Sequence, residues 1–446
     1  MNRVLMIAFH FPPCAESSGV HRTLKFTRYL PDNGWQPIVL TVHPRVYERT
    51  SPQQLREVPS VVDVRRTLGL DAARHLALRG RYPRQAALPD RYASWWLTAV
   101  PVGLTLIRRH RPRVIWSTYP VATAHLIGLT LHRLSRLPWV ADFRDSMTEE
   151  GYPRDPLRRR AHAWIEERAV ARAARLVFTA PSTIAMYRAR YPWLDGERCA
   201  WIPNGYDETD FDSLAPSPAA ASPGRPLRLV HSGVVYPEER DPRPFFQALS
   251  RLKQRGLLNA WSLEVLLRGS GFQADYSRLL RELGVDDIVH LVPPVGYREA
   301  LQECVEADAL LLLQGASCDH QIPAKAYEYL RARRPILALT AERGDTAALL
   351  RDSGGATIID LADADAIAAA LPGFLREVRD GTHPLPDMTR VSCHAREERA
   401  RDLAVLLDEV AARASAESGA GGGRHLRSMD GGLATGCGDA YVRESR

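Results

Sequence analysis

Short apolar runs alternate along the chain with longer stretches in which apolar positions recur every three or four residues. In the first half the runs predict strands at Val4–Phe9, Pro37–Val42, Val61–Arg65, Val114–Ser117, Trp139–Phe143, Leu176–Thr179 and Cys199–Ile202. Helical periodicity falls between them, at Val20–Asn33, Trp95–Arg109, Val121–Arg136, Leu157–Arg175 and Ser182–Tyr191. From about Glu208 to Pro226 the pattern lapses into DFDSLAPSPAAASPGRP, whose Pro, Ala and Ser content predicts an exposed linker.

The alternation then resumes. Strands are expected at Leu227–His231, Ser262–Leu267, Ile288–Leu291, Ala309–Leu313, Pro335–Leu339 and Ala356–Ile359. Helices fit Pro242–Arg255, Ala274–Leu283, Tyr297–Ala307, Pro323–Arg333, Asp345–Asp352 and Ala362–Arg376. A charged, apolar-striped helix, Arg396–Ala414, comes last, and the Gly- and Ser-rich remainder predicts disorder. The fold class is therefore α/β: two doubly wound, Rossmann-like parallel-sheet domains facing a cleft. The expected division is a first domain over 1–207, a linker over 208–226, a second domain over 227–390, a crossing helix over 391–414 and a tail over 415–446. Ligands of such sheets sit beyond the carboxyl ends of the strands, near helix N-termini, so the loops after the strands are where chemistry should lie.

Composition narrows the class. The nearest approach to a membrane span, Tyr92 to Ile107, is uncharged but only 16 residues long and broken by Pro101, short of the roughly 20 apolar residues that a spanning helix needs. The N-terminal MNRVLMIAFHFPP has no small-residue cleavage site behind its apolar run and reads as a first strand. The six cysteines, Cys14, Cys199, Cys304, Cys318, Cys393 and Cys437, are scattered without metal-ligand spacing, as expected of reduced thiols in a cytoplasmic protein. Net charge is +7, yet only Lys25, Lys253 and Lys325 are lysines against 56 arginines. That skew reads as codon bias, and with no recognition motif beside it the charge does not predict a nucleic-acid partner.

Four loops carry candidate chemistry. The first strand opens into His10-Phe-Pro-Pro-Cys-Ala-Glu-Ser-Ser-Gly19 and then a helix, an arrangement that can offer backbone N–H groups to a phosphate, although a glycine in such a place is more often a plain helix start. Asp142-Phe-Arg144-Asp145 ends a buried strand, where an internal Asp–Arg brace and a substrate contact are both open. In the second half, His231-Ser-Gly233 leads to Arg240 just before a helix start, and a cation there is unfavourable unless an anion binds. Lys325 occupies a first helical turn in the same way, with Glu328 at i+3 on the same face. A surface salt bridge is the plain reading of that pair, and a diphosphate contact by Lys325 with a sugar-hydroxyl contact by Glu328 is the functional one. Asn204-Gly205 reads as the turn of the interdomain crossover.

These segments, in this order, resemble the family 4 retaining glycosyltransferases of GT-B fold, most closely a subgroup found in bacterial polysaccharide gene clusters. The segments are FHFPP…SGVHRTLKFTRYLPDNGWQPIVLTV, STYPVATAHLIGLTLHRLSRLPWVADFRDS, IPNGYD, HSGVVYPEERDP, ADALLLL and IPAKAYEYLRARRPILAL, and they span about residues 3–380. The resemblance implies that Gly19 approaches the donor phosphates or acceptor and that Asp145 lines the acceptor side. It implies that Gly233, Arg240 and Lys325 hold the donor diphosphate, and that Glu328 matches the second glutamate of the family's E-x7-E motif, which binds the donor ribose. The first glutamate is replaced by His320, beside Asp319, and Val234 stands where many relatives carry a first basic residue.

The implied reaction moves a sugar from a nucleotide-diphospho-sugar to a hydroxyl acceptor, with Arg240, Lys325 and a helix start stabilising the leaving diphosphate. No metal and no cofactor is expected beyond the donor co-substrate. A GT-B sugar-nucleotide epimerase or a catalytically impaired sugar-nucleotide-binding protein is the alternative. Trp95 and Trp96, flanked by Arg108, Arg109 and Arg111, would suit contact with an anionic membrane at its inner face and a lipid-linked acceptor, or else a core-packed helix.

Overall fold

The computed structural model describes residues 1–15, 19–212, 214 and 224–420. The first sheet holds seven strands: β1 Asn2–Ile7, β2 Trp35–Val42, β3 Asp63–Thr67, β4 Val114–Thr118, β5 Trp139–Phe143, β6 Arg175–Phe178 and β7 Cys199–Trp201. Their order is β3-β2-β1-β4-β5-β6-β7, parallel throughout. The second sheet holds β8 Leu227–Ser232, β9 Leu263–Arg268, β10 Val289–Val292, β11 Ala309–Leu313, β12 Ile336–Leu339 and β13 Ala356–Ile359, in the order β10-β9-β8-β11-β12-β13 and again parallel. Strands such as ALLLL of β11 are apolar at every position because helices cover both faces.

In each sheet the winding reverses at one place, between β1 and β4 and between β8 and β11. The loops leaving those strands diverge to opposite faces and open a crevice at the carboxyl edge, the usual ligand position in such sheets. The chain leaving β1 leads to Gly19, that leaving β8 to Gly233, and that leaving β11 to His320 and Lys325.

The domains are tied together at their base. Gly205 permits the crossover: a Cβ on it would sit 2.2 Å from the His394 carbonyl oxygen, and the next residue, Tyr206, pairs with Ala395. The final helix, Arg396–Ala420, then returns to the first sheet, packing Leu403, Leu407 and Val410 with Val4, Trp35 and Trp116. It runs six residues past the expected end at Ala414, held by Arg113, which donates to the Ala411 carbonyl and Ser415 hydroxyl. The remainder of the tail, 421–446, and most of the expected linker lie outside the described residues.

The paired tryptophans take the core-packing role. Trp95 is fully buried and its indole donates to Thr67, while Trp96 donates to Thr130. Trp95 therefore belongs to the core, while Trp96 is partly buried against it. No described helix is long and apolar enough to cross a membrane.

Candidate functional site

Gly233 follows β8 with φ +109°, a conformation open to glycine, and a Cβ there would lie 3.0 Å from Lys325 Nζ. The loop backbone and the lysine head therefore share one small space. Lys325 stands in the first turn of helix Ala324–Ala332, whose N-cap Pro323 provides no side-chain cap. Its Nζ is 3.1 Å from His231 Nε2, and His231 Nδ1 is 2.8 Å from the Leu311 carbonyl oxygen. Arg240 turns back over its own loop, donating to the Val234 carbonyl at 3.0 Å with its guanidinium 5.8 Å from the Tyr236 ring.

Neither Lys325 nor Arg240 has a carboxylate in ion-pair contact among the described residues. Burial, and then the nearby Arg240 charge, pull the Lys325 ammonium down to about 7. Burial drives His231 well below its ordinary value, so this imidazole is neutral. The Lys325–Glu328 salt bridge does not form. Glu328 instead accepts from the Tyr297 hydroxyl at 2.8 Å, and burial raises its carboxyl above the usual range. Two basic side chains with no carboxylate in ion-pair contact among the described residues, beside an uncapped helix start, are an arrangement that can accommodate an anion.

His320 sits on a loop braced by Gln314, whose amide donates to the Cys318 and Gln321 carbonyls. Its Nε2 meets Glu149 of the first domain at 2.9 Å, and that hydrogen bond raises the imidazole's pKa above its ordinary value. This partner had no signal in the sequence, because Glu149 lies in an irregular loop of the other domain. Thr183 also donates to the His320 carbonyl, and Ser182 donates through both its N–H and hydroxyl to Asp345 at 2.9 Å. His21 and Tyr297 close the cleft elsewhere, with ring centroids 4.2 Å apart.

The Asp142-Phe-Arg144-Asp145 segment divides by role. Asp142 is wholly buried and takes both arms of Arg22, at 2.8 and 3.1 Å, together with the Thr118 hydroxyl. The brace is thus Asp142–Arg22, not a pair within the segment. Arg144 donates to the Gly19 carbonyl at 3.1 Å, which ties the helix start Gly19–Tyr29 to the end of β5. Asp145 forms no ion pair among the described residues, and burial raises its carboxyl above the usual range, with Glu149 adding to the effect and Arg144 and His320 opposing it. Gly19, Arg144, Asp145 and Glu149 thus belong to the first domain and Gly233, Arg240, His320, Lys325 and Glu328 to the second, with Glu149 and His320 in direct contact between them. No described cluster of His, Cys, Asp or Glu is placed to hold a metal ion.

Residues 19–205 match the family model of the glycosyl transferase 4-like domain. Solved structures share the whole architecture at low identity. Sucrose-phosphate synthase from Thermosynechococcus elongatus aligns with TM-score 0.61 at 14% identity, over 94% of this chain and 98% of that one. WaaG, a glycosyltransferase involved in lipopolysaccharide biosynthesis, aligns with TM-score 0.58 at 15% identity, over 93% and 99%. Anabaena HepE, solved in complex with UDP-glucose, aligns with TM-score 0.56 at 12% identity, over 94% and 100%. The two-sheet arrangement is the GT-B fold of these proteins. No curated protein sequence matches the chain closely enough to support an inference.

Proposed function

We propose, from the match of residues 19–205 to the glycosyl transferase 4-like domain, that the protein moves a sugar from a nucleotide-diphospho-sugar to a hydroxyl acceptor with retention at the anomeric carbon. The observation that carries the reading is the pair of unpaired cations, Lys325 and Arg240, gathered at Gly233 beside a helix start. The UDP-glucose complex of HepE lends a nucleotide-sugar donor to a fold of this kind.

In this reading the barrier is departure of the diphosphate as positive charge grows on the anomeric carbon. Cations and backbone N–H groups already in place stabilise the leaving oxygens without reorganising during the step. Lys325 and Arg240 carry that role, Gly233 lets the diphosphate approach the backbone, and Glu328, held by Tyr297, meets the ribose hydroxyls. His320 and Glu149 face the sugar, Gly19 the phosphates and Asp145 the acceptor hydroxyl, whose proton leaves on a phosphate oxygen of the departing group. No protein nucleophile and no metal enters the scheme. The resemblance to polysaccharide-cluster enzymes supports a product in cell-surface polysaccharide or glycolipid synthesis.

The test is a thermal-shift panel of nucleotide sugars followed by product analysis with and without acceptor, since a ligand bound only to the folded state raises Tm. A donor hit, release of nucleoside diphosphate only with acceptor, and an anomerically retained product support the reading. A donor that is epimerised or freed without acceptor, or a Lys325→Ala enzyme with undiminished turnover, overturns it.

A further inference from the structure

Helices Ala122–Ser135 and Pro156–Arg172 lie side by side on the first sheet, and the groove between them holds two cavities of opposite character. One, of about 340 Å³, is apolar: Pro89, Leu126, Ala161, Trp164 and Ile165 line it, together with Arg160. The other, of about 270 Å³, is basic and is formed by His132, Arg133, Arg136 and Arg172. At about 1.5 Å per residue, the steps from Leu126 to Arg133 and from Trp164 to Arg172 set the two roughly 10–12 Å apart along the helices.

Large apolar side chains stand open to solvent along the same groove. Leu157, Ala161 and Trp164 fall at i, i+4 and i+7, one stripe of their helix. Leu157 is 42% exposed and Trp164 43%, and Leu134, next to Arg133 in the chain, is 60% exposed. Arg168 lies over the Trp164 ring at 3.9 Å, so a cation covers one face of an indole that stays half in water. Singly such exposure is ordinary; an apolar cavity, three large apolar side chains and a row of cations on one face is not. Helix Ala122–Ser135 contains no carboxylate. Helix Pro156–Arg172 has five arginines against Glu166, which is buried and paired with Arg190, and the exposed Glu167. Among the described residues Arg133, Arg136, Arg160 and Arg172 have no carboxylate in ion-pair contact. Arginines on other faces do: Arg243 with Asp241 at 2.6 Å, Arg251 with Asp365 and Arg390 with Asp352.

We propose that this groove is a docking face for an anionic lipid bilayer, with Leu134, Leu157 and Trp164 entering the interface and Arg133, Arg136 and Arg172 taking lipid phosphates. Both halves of the chemistry match. An indole settles where headgroups meet acyl chains, arginine forks bond phosphate oxygens, and an anionic leaflet attracts cations within a Debye length of it. A nucleic acid would use the arginines and leave the apolar cavity and the two leucines unmet. The surface is distinct from the Trp95–Trp96 pair, of which Trp95 is wholly buried and Trp96 donates to Thr130. Both helices start at the carboxyl edge of the sheet, and the apolar cavity is the one nearer those starts. That a lipid-linked acceptor would then reach Asp145 rests on the glycosyl-transfer reading; attachment to the bilayer does not.

The test floats the full-length protein with vesicles of equal parts phosphatidylglycerol and phosphatidylcholine, and with phosphatidylcholine alone, at low and high salt. Binding should be confined to the anionic vesicles and weaken with salt. Arg133→Gln, Arg136→Gln and Arg172→Gln together should weaken it by about tenfold or more, and Trp164→Ala should weaken it further, with circular dichroism unchanged. The three arginines are exposed, so that set serves if the Trp164 variant does not fold. A control set on the second domain, Arg255→Gln, Arg278→Gln and Arg281→Gln, removes the same charge and should leave binding unchanged. Absence of flotation with anionic vesicles, equal flotation with neutral ones, equal loss in the control set, or a folded Trp164→Ala protein that binds like wild type overturns the docking face. So does binding of a single-stranded oligonucleotide by these arginines where anionic vesicles are not bound. The donor-induced rise in Tm is read on the same proteins. Its persistence when flotation fails strikes the docking face alone, and its absence when flotation holds strikes the glycosyl-transfer reading alone.

Discussion

Lys325 Nζ donates to His231 Nε2, and the direction of that hydrogen bond is fixed from the far side of the ring. Nδ1 lies 2.8 Å from the Leu311 carbonyl oxygen, which can only accept, so Nδ1 carries the proton and Nε2 presents a lone pair. Burial keeps the ring neutral. The histidine thus orients the lysine without neutralising it, and the lysine charge stays available to a ligand.

A proton should accompany the donor. The buried Lys325 has its pKa lowered to about 7, so at pH 8 the ligand-free site is mostly neutral. A bound diphosphate favours the ammonium and restores the proton. Calorimetry at pH 8 in buffers of different ionisation enthalpy should show uptake of about one proton per donor, falling toward none at pH 6. Equal uptake at the two values, or none at pH 8, contradicts the assignment of Lys325 to the diphosphate.

The free enzyme carries the cost of that arrangement. In the range between about 7 and the ordinary lysine value, the unfolded chain holds the Lys325 proton more tightly than the folded one, so this group's penalty is largest at low pH and lessens as pH rises. Lys325→Met should therefore melt higher than wild type at pH 6, by about 2–4 °C for each kcal/mol relieved, while the donor-induced rise in Tm disappears. A variant that melts lower and keeps the ligand shift rules out the role.

Gly233 is the position where substitution should be most telling. Its φ of +109° is strained for any side chain, and the added carbon would lie 3.0 Å from Lys325 Nζ. Backbone strain of this kind costs about 1–3 kcal/mol, and displacement of one charge-stabilising donor costs about 10²–10³ in rate. Gly233→Ala should lose both, measured by chemical denaturation and by donor turnover. Normal turnover in a folded Gly233→Ala protein would remove this loop from the diphosphate site.

The strands were legible because parallel sheets covered on both faces leave continuous apolar runs, as in β5 and β11, whose bounds match the sequence pattern residue for residue. The positions of Gly19, Gly233, Lys325 and Glu328 in the segments that follow β1, β8 and β11 were legible because loops and helix starts interrupt those apolar runs. What no local pattern could give is the meeting of the two domains. Glu149 against His320 and His21 against Tyr297 are each contacts between side chains far apart in the chain. Trp95 and Trp96 left two readings open in the sequence, since an aromatic pair with a basic flank has the same spacing on a core helix as on an interfacial one.

The two carboxylates of the Asp142–Asp145 segment should separate cleanly. Asp142→Ala leaves Arg22 buried, 2% exposed, with no carboxylate. Breaking a buried pair from one side costs about 3–5 kcal/mol, enough to be plain in a urea melt. Asp145 has no such partner and its charged form is already disfavoured by burial. Asp145→Asn should keep or slightly raise Tm at pH 7 while lowering transfer to acceptor more than donor binding. The reverse ranking of the two variants in stability contradicts the division of roles.

Closure of the cleft should depend on pH through His320. Its pKa is raised above the ordinary histidine value, first by the hydrogen bond to Glu149. A raised histidine pKa means that the imidazolium is favoured in the closed form, so the contribution is fully present below about 6.5 and is lost as pH rises through the raised value. The pair is partly buried, with side chains 18% and 26% exposed, and a partner of this kind contributes about 1 kcal/mol, or a few-fold in the closed population. Distance distributions between spin labels on the two domains should shift toward closure between pH 8 and pH 6 in the ligand-free protein. His320→Gln should abolish the shift, and Glu149→Gln should weaken it. Identical distributions at both pH values in the wild type, measured where Ser182 and Asp345 remain intact, would assign closure to that neighbouring contact and leave His320 without a part in it.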